Sequence, residues 1–189
     1  MQGGRIDRGD ARFEQAFGSH YAQVLAFAVR RVGDQATAED IAADTFAVAW
    51  RRRSDLPDEP LPWLYGVARR VIANQRRSQQ RRGSLQARLI GEAGHSEPSR
   101  DPADILGTRS DVRAALAGIP EGSREVLRLV AWEGLDTRDG ATALGCSPAA
   151  FRVRLFRAKR QFSKAFAEQQ DAPVRRTTST CETKPEEAR

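Results

Sequence analysis

Apolar residues recur every three or four positions over most of the chain, and this spacing predicts helices throughout. The first such run, over residues 13–28, predicts a helix that ends at Gly33. Thr37 followed by Asp40 resembles a capping box, in which two residues satisfy each other's backbone donors at a helix start. A second helix is therefore expected from Thr37 to about Arg53.

The next segment changes from helix to loop and back, and then loses its periodicity. Residues 55–62 contain three prolines and predict a loop. A third, basic helix is expected from Trp63 to about Arg82, which would complete a first domain over residues 13–82. Residues 83–108 contain several glycines and prolines with little periodicity, so they are expected to be a flexible linker between two domains.

The second half predicts four short helices within a domain of residues 109–169, because Gly and Pro interrupt its apolar runs. Ser147 and Pro148 are typical of an N-cap and a first helical position. Residues 170–189 are polar and are expected to be a disordered tail, and residues 1–12 an N-terminal arm. The predicted fold is all-α, with two small helical domains joined by a flexible linker.

Ala141, Gly145 and Phe151 have the spacing of a helix-turn-helix in the second domain. A small residue allows the two helices to cross closely, and Gly145 allows the positive φ of a tight turn. Phe151 would fix the second helix against the first. The same spacing also fits a plain helical hairpin, so the charge of the following helix has to decide between the two.

Positive charge is concentrated in two stretches. The chain has a net charge of +6, yet residues 69–82 and 151–164 each carry six basic residues and no acid, so the rest of the chain nets −6. Two basic surfaces on an otherwise acidic protein indicate two contacts with one polyanion. The alternative is two solvated helix faces, although such faces usually alternate Glu with Lys.

The last helix separates its residues into faces that suit DNA. Phe151 begins the side that is expected to face the core. The outward facet combines two arginines with two apolar groups: Arg152, Val153, Phe156 and Arg157. In a major groove, arginine pairs with guanine and apolar groups contact thymine methyls. The remaining basic residues suit phosphates: Arg154, Lys159 and Arg160.

These residues give the chain a resemblance to the extracytoplasmic-function (ECF) sigma factors of bacterial RNA polymerase. Residues 32–34 (Val-Gly-Asp), 38–41 (Ala-Glu-Asp-Ile), 44–46 (Asp-Thr-Phe) and 50–51 (Trp-Arg) resemble region 2.2. Residues 62–69 resemble regions 2.3 to 2.4, and residues 135–159 resemble region 4 with its recognition helix. The motifs occur in the family's order. Gly140 departs from the pattern, since the family usually has an aliphatic residue there, and Arg70 and Asn74 replace an Asn and an Asp.

The resemblance implies a promoter-recognition subunit with three contact surfaces. The second helix would bind a coiled coil of the polymerase β′ subunit, with Asp40, Asp44 and Arg51 as contacts, and the β subunit is a further expected partner. The contacts with the melted −10 element would be Trp63, Arg69, Arg70, Asn74 and Arg77. The contacts with the −35 duplex would be Ser147, Arg152, Val153, Arg154, Phe156, Arg157, Lys159 and Arg160. Many relatives are held inactive by an anti-sigma factor, which adds such a protein to the candidate partners.

Other classes of function find less support. A free-standing helix-turn-helix regulator would need a dimer interface, and no zipper pattern is present. An enzyme would need a catalytic site, and no nucleophile motif, P-loop or dinucleotide fingerprint occurs. Trp63 has a second interpretation as a core residue, and Asp40 with Asp44 as a solvated face. No metal, cofactor, membrane span or signal peptide is expected, and two cysteines fit a reducing cytoplasm.

Overall fold

The structure is a computed structural model that describes residues 8–90 and 107–171, with side chains at 8–82 and 111–170. All regular structure in these residues is helical, as the periodicity predicts. The helices are α1 (Arg8–Val32), α2 (Gln35–Arg51), α3 (Pro60–Ile90), α4 (Gly107–Ala117), α5 (Glu121–Ala131), α6 (Thr137–Leu144) and α7 (Pro148–Asp171), with a short 3-10 turn at Arg53–Asp55. Helices α1–α3 form the first half and α4–α7 the second.

Four of the helices extend further than the sequence predicts. Helix α1 begins at Arg8, within the expected arm, and the ion pair between Asp10 and Arg53 ties this first turn to the protein. Helix α3 continues to Ile90, so residues 83–90 are helical rather than linker, because a single glycine does not stop a run of good helix formers. Helix α4 begins at Gly107, within the expected linker, and helix α7 ends at Asp171, within the expected tail. The remainder of the arm, linker and tail lies outside the described residues.

The start of α2 also differs from the prediction. The N-cap is Asp34, whose carboxylate accepts a hydrogen bond from the backbone N–H of Thr37 at 2.8 Å. Hydrogen bonding to Thr37 lowers the pKa of Asp34, because it stabilises the charged form. The expected capping box at Thr37 and Asp40 is therefore wrong. Asp34 also matches the N-cap preference, and the helix begins one residue after it.

The first half encloses an aliphatic and aromatic core between α1, α2 and α3. Val24, Phe27, Ile41 and Leu64 are fully buried there. The Phe27 ring stacks on Tyr65 with centroids 4.5 Å apart, which joins α1 to α3. Packing of these apolar faces, more than helix propensity, holds three helices of this length together.

The second half has its own core, and this core is continuous with that of the first half. Val126, Leu129 and Phe151 are fully buried where α5, α6 and α7 meet. Helix α6 also packs against α3 of the first half, and the backbone at Gly66 comes close to that at Ala143. The two halves are thus in direct contact rather than separated.

Candidate nucleic-acid interface

The turn between α6 and α7 has the geometry of a helix-turn-helix. Gly145 adopts a left-handed conformation, with φ at 63°, as its place in the turn requires. The N–H of Cys146 donates to the Ala141 carbonyl at 3.0 Å, which closes the end of α6. The Ser147 hydroxyl accepts from the N–H of Ala150 at 3.2 Å and caps α7. Ser147 therefore positions α7 while its side chain stays exposed.

Phe151 fixes the angle between the two helices, as its spacing predicts. Its side chain is fully buried, and its ring lies directly over the α-carbon of Gly140. A β-carbon at Gly140 would lie 2.2 Å from the nearest ring atom, which no side chain can tolerate. This contact explains why glycine stands where an aliphatic residue is usual in the family that the sequence resembles.

Helix α7 presents the predicted facet to solvent. Val153 and Phe156 are 49% and 63% exposed, more than any other large apolar residue among the described side chains, and they lie next to each other on the helix surface. Arg152 and Arg157 flank them and are exposed as well. Among the side chains that the structure describes, none forms an ion pair or hydrogen bond with either arginine. The facet therefore offers free guanidinium groups next to apolar groups.

The other basic residues of α7 surround this facet. Arg154, Lys159 and Arg160 are exposed, and no carboxylate pairs with them in the described part of the chain. The Arg160 guanidinium lies 6.0 Å from the centroid of the Phe156 ring, at the limit of a cation–π contact. Basic groups without local partners are suited to a ligand that brings its own negative charge.

The predicted contacts on α3 divide between two faces. Trp63, Arg70, Asn74 and Arg77 recur at steps of seven, four and three residues, so they share one side of the helix. Arg70, Asn74 and Arg77 are exposed, and the Arg77 guanidinium donates to the Asn74 side-chain oxygen. Trp63 is half-buried: part of its ring packs against the core, and the rest stays accessible for a contact with DNA.

Arg69 lies about 100° around α3 from Arg70 and faces the second half of the protein. Its Nη1 donates to the Ala143 carbonyl at 3.0 Å, and its Nε lies 3.3 Å from an oxygen of Glu125. Burial lowers the pKa of Arg69. The charge of Glu125 opposes this shift, and the like charges of Arg31, Arg70 and Arg154 reinforce it. The structure thus removes Arg69 from the surface formed by the other four predicted residues.

Helix α2 exposes the three residues predicted to bind the polymerase. Asp40, Asp44 and Arg51 lie on one side of the helix, at steps of four and seven residues. Within the described residues, Asp40 and Asp44 have no hydrogen-bond or ion-pair partner. A solvent-facing pair of free carboxylates can contact a basic partner surface without rearrangement.

Comparison with known proteins identifies the family. The family described as Sigma-70 region 2 matches residues 16–82, and that described as Sigma-70 region 4 matches residues 109–162. The ECF RNA polymerase sigma factor SigL of Mycobacterium tuberculosis is 30% identical over 151 residues, which cover 76% of this chain and 82% of that protein. The chain belongs to the ECF sigma factors. Its function is that of a sigma factor in transcription initiation, and a free-standing regulator is not favoured because both sigma regions are present.

Two further relatives agree with this assignment. A probable RNA polymerase sigma factor of Xanthomonas campestris, RfaY, is 37% identical over 142 residues, which are 72% of this sigma factor but only 36% of that protein. CnrH of Cupriavidus metallidurans is 30% identical over 166 residues, 79% of this chain and 86% of that one. The solved structure of CnrH with the cytosolic domain of CnrY has a TM-score of 0.54 at 26% identity, and covers 82% of this chain and 88% of CnrH.

Sequence reasoning missed two features of this sigma factor. Trp50 and Phe17 are 44% and 42% exposed beside the acidic face of α2, over Phe13 and Phe46. The spacing of four residues between Phe46 and Trp50 could have indicated this aromatic surface, but the same spacing is typical of residues that face a helical core. The second feature is a set of buried ion pairs between the two halves, whose partners lie 94–103 residues apart and leave no local pattern.

No helix in the described part of this sigma factor is both long and apolar enough to cross a membrane. Its described side chains also contain no group of His, Cys, Asp and Glu that could hold a metal ion.

Proposed function

We propose that this sigma factor binds core RNA polymerase through α2, captures the melted −10 element on α3 and recognises the −35 duplex with α7. Each of these roles belongs to a separate exposed surface. The proposal makes the protein a promoter-binding subunit that acts by binding rather than by catalysis. Its expected place of action is the cytoplasm, where promoter DNA and polymerase are found.

The exposed facet of α7 is the observation that carries the proposal. Val153 and Phe156 are exposed between two arginines that have no partner among the described side chains. A merely solvated helix gains nothing from exposing such apolar groups, whereas a major groove offers thymine methyls and guanine edges at this spacing. The helix-turn-helix behind the facet, fixed by Phe151 and Gly145, is the support that such a helix requires.

The surface on α3 suits single-stranded DNA. Trp63 offers part of an aromatic ring, on which a base can stack, and Arg70 and Arg77 lie along the same side for the backbone phosphates. The half-buried position of Trp63 favours this role, because the ring is held in place and still accessible. We propose that these residues, with Asn74, contact the non-template strand near the start site.

The acidic surface on α2 is proposed as the contact with the β′ subunit. Asp40→Lys combined with Asp44→Lys should weaken binding to core polymerase, because lysines in place of the two free carboxylates would repel a basic partner surface. A pull-down with core polymerase measures this. The control is Glu14→Lys with Glu168→Lys, which makes the same change in charge at exposed positions away from α2. Equal retention of both double variants would contradict the assignment.

A protein inhibitor is a further proposed partner. CnrH, which is 30% identical to this chain, has been solved in complex with the cytosolic domain of CnrY. We propose that a comparable protein, an anti-sigma factor, binds this chain and competes with the polymerase.

Run-off transcription from a matched promoter tests the proposal as a whole. Core polymerase with the chain should produce a transcript, and core polymerase alone should not. Absence of a transcript from the complete mixture, with a known sigma factor active in the same core preparation, would contradict it. Binding of the chain as a dimer to a palindromic site, without any effect of core polymerase, would instead indicate a free-standing regulator.

A further inference from the structure

The contact between the two halves is centred on buried charges. The Arg31 side chain is 3% exposed and pairs with Glu125 at 3.1 Å and with Glu133 at 3.0 Å. Glu133 is 1% exposed and also pairs with Arg30. Together with Arg69, these residues form what we call the interdomain ion cluster: Arg30, Arg31, Arg69, Glu125 and Glu133. All three arginines come from the first half and both glutamates from the second.

The backbone approaches closely beside this cluster. Gly66 on α3 faces the carbonyl oxygen of Ala143 on α6, and a β-carbon at Gly66 would lie 3.0 Å from that oxygen. Such a distance is shorter than ordinary van der Waals contact, so a methyl group at Gly66 would require α3 and α6 to move apart by a few tenths of an ångström. The same carbonyl accepts the hydrogen bond from Arg69. The helix-turn-helix is therefore seated directly on the helix that carries the proposed −10 surface.

This arrangement cannot reach both proposed DNA elements. A compact protein of this size has a radius of gyration of about 15 Å. Elements centred near −35 and −10 lie roughly 25 base pairs apart, or about 85 Å along B-DNA at about 3.4 Å per pair. The halves must separate before the protein can contact both elements. Separation breaks the interdomain ion cluster and releases Arg69.

We propose that the interdomain ion cluster is an intramolecular latch that keeps the free sigma factor closed, with Arg69 held away from nucleic acid until the halves separate. This inference rests on the proposed function, since it assigns Arg69 a second role in the open protein. In the closed protein Arg69 binds Glu125 and the Ala143 carbonyl. In the open protein its guanidinium is free to join the −10 surface next to Arg70.

Two kinds of substitution test the latch by different routes. Gly66→Ala adds one methyl group against the Ala143 carbonyl and changes no charge, while alanine is the better helix former within α3. Glu125→Gln with Glu133→Gln removes the two negative charges and keeps the side-chain shapes. The matched controls are Gly18→Ala, at a helical position with nothing within 4 Å, and Glu14→Gln with Glu168→Gln, at exposed positions.

The first measurement is the distance between the halves in the full chain. Spin labels are attached at Ala43→Cys on α2 and Ala149→Cys on α7, both exposed, after Cys146→Ser and Cys181→Ser. We expect one short distance for the parent protein and its controls. Gly66→Ala and the double glutamine variant should each add a longer population. A single short distance for both test variants, with helical content unchanged, would overturn the latch.

The second measurement is the affinity of the same proteins for oligothymidylate without polymerase. Because opening adds the Arg69 guanidinium to a surface whose other residues are already exposed, it should strengthen binding by about tenfold. Separated halves with unchanged affinity would overturn the inhibitory role of the contact. Failure of the proposed function would give a different result. The parent protein and its variants would then open and close as expected, but the parent protein would support no run-off transcription.

Discussion

Helices α3 and α7 are both rich in arginine, but their arginines differ in what they contact. On α7, Arg152 and Arg157 extend into solvent without partners among the described side chains. On α3, Arg69 binds Glu125 and a backbone carbonyl, and Arg76 donates to the carbonyl of Arg31 at 2.9 Å. The basic stretch on α7 is thus a free surface, whereas that on α3 is partly structural. A cluster of charge in a sequence predicts a contact with an anion, but the anion can belong to the same chain.

The acidic residues divide in the same way, into buried groups that hold the protein together and exposed groups that are free to bind a partner. Glu125 and Glu133 are buried and fully engaged with arginines, whereas Asp40 and Asp44 are exposed and without partners in the described structure. Removing one member of a buried pair leaves an uncompensated charge, and removing an exposed carboxylate does not. Substitutions in the first group should therefore change the arrangement of the halves, and those in the second group only the binding of a partner.

The largest effect is expected where α7 is anchored. Gly140→Ala forces a methyl group into the Phe151 ring and should lower the free energy of unfolding by about 2–3 kcal/mol, in the range for overpacked cores. Thermal unfolding of the full chain measures this. Gly122→Ala, at a position with nothing within 4 Å, is the control and should leave stability equal or higher. Equal stability of both variants would show that α7 is not held by this contact.

A smaller effect is expected on α3, where the exposed arginines can be substituted without changing Arg69 and Arg76, which bind groups of the protein itself. Arg70→Ala with Arg77→Ala should weaken the contact with single-stranded DNA by about 1–3 kcal/mol and impair promoter opening more than closed-complex formation. Permanganate footprinting of the holoenzyme on a matched promoter measures opening through thymine reactivity. Arg82→Ala, further along the same helix, is the control. Normal thymine reactivity in the double variant would contradict the single-strand role of this face.

The smallest effect concerns Tyr65, which lies beside the interdomain ion cluster. Burial, followed by the charge of Glu133, raises the pKa of Tyr65 from 10.0 to about 12. Since the folded protein favours the neutral phenol, this contribution to stability is complete below pH 10 and is lost as the pH rises toward 12. No change from Tyr65 is expected near neutral pH.

Ultraviolet titration of Tyr21→Phe, which leaves Tyr65 as the single tyrosine, measures this pKa. The folded parent protein should titrate near 12, and the addition of Gly66→Ala should lower the pKa of Tyr65, because opening the halves moves the charge of Glu133 away from the phenol. A value near 10 in the closed protein, with the helices intact, would show that the Tyr65 ring is not buried in this way.

The helices and the helix-turn-helix could be predicted from sequence because their signals are local. Apolar spacing located each helix, Gly145 marked the turn, and the alternation of arginine with Val153 and Phe156 marked the outward facet. Each of these patterns is completed within a few turns of one helix. The N-cap of α2 differs from the prediction because Asp34 and Thr37 are both good capping residues, and only the backbone geometry distinguishes them.

The contact between the halves could not be predicted, because it depends on residues that lie far apart in the sequence, such as Arg31 and Glu125, which are 94 positions apart. Arg69 and Arg70 are adjacent and chemically identical, yet one is directed to Glu125 and the other to solvent. Their difference arises from how α6 packs on α3, which depends on the small size of Gly66. No pattern within α3 contains that information.

The central claim is that the exposed arginines of α7 recognise bases while the neighbouring basic residues contact phosphates. Its most direct test is binding of the holoenzyme to a panel of single-base variants of the −35 element, at several salt concentrations. Arg152→Ala or Arg157→Ala should lose about 1–3 kcal/mol of discrimination at one or two base pairs. Lys159→Ala should weaken binding to all sequences alike and reduce the salt slope by about 1. If the arginine variants and Lys159→Ala gave the same uniform loss across the panel, the assignment of the facet would be wrong.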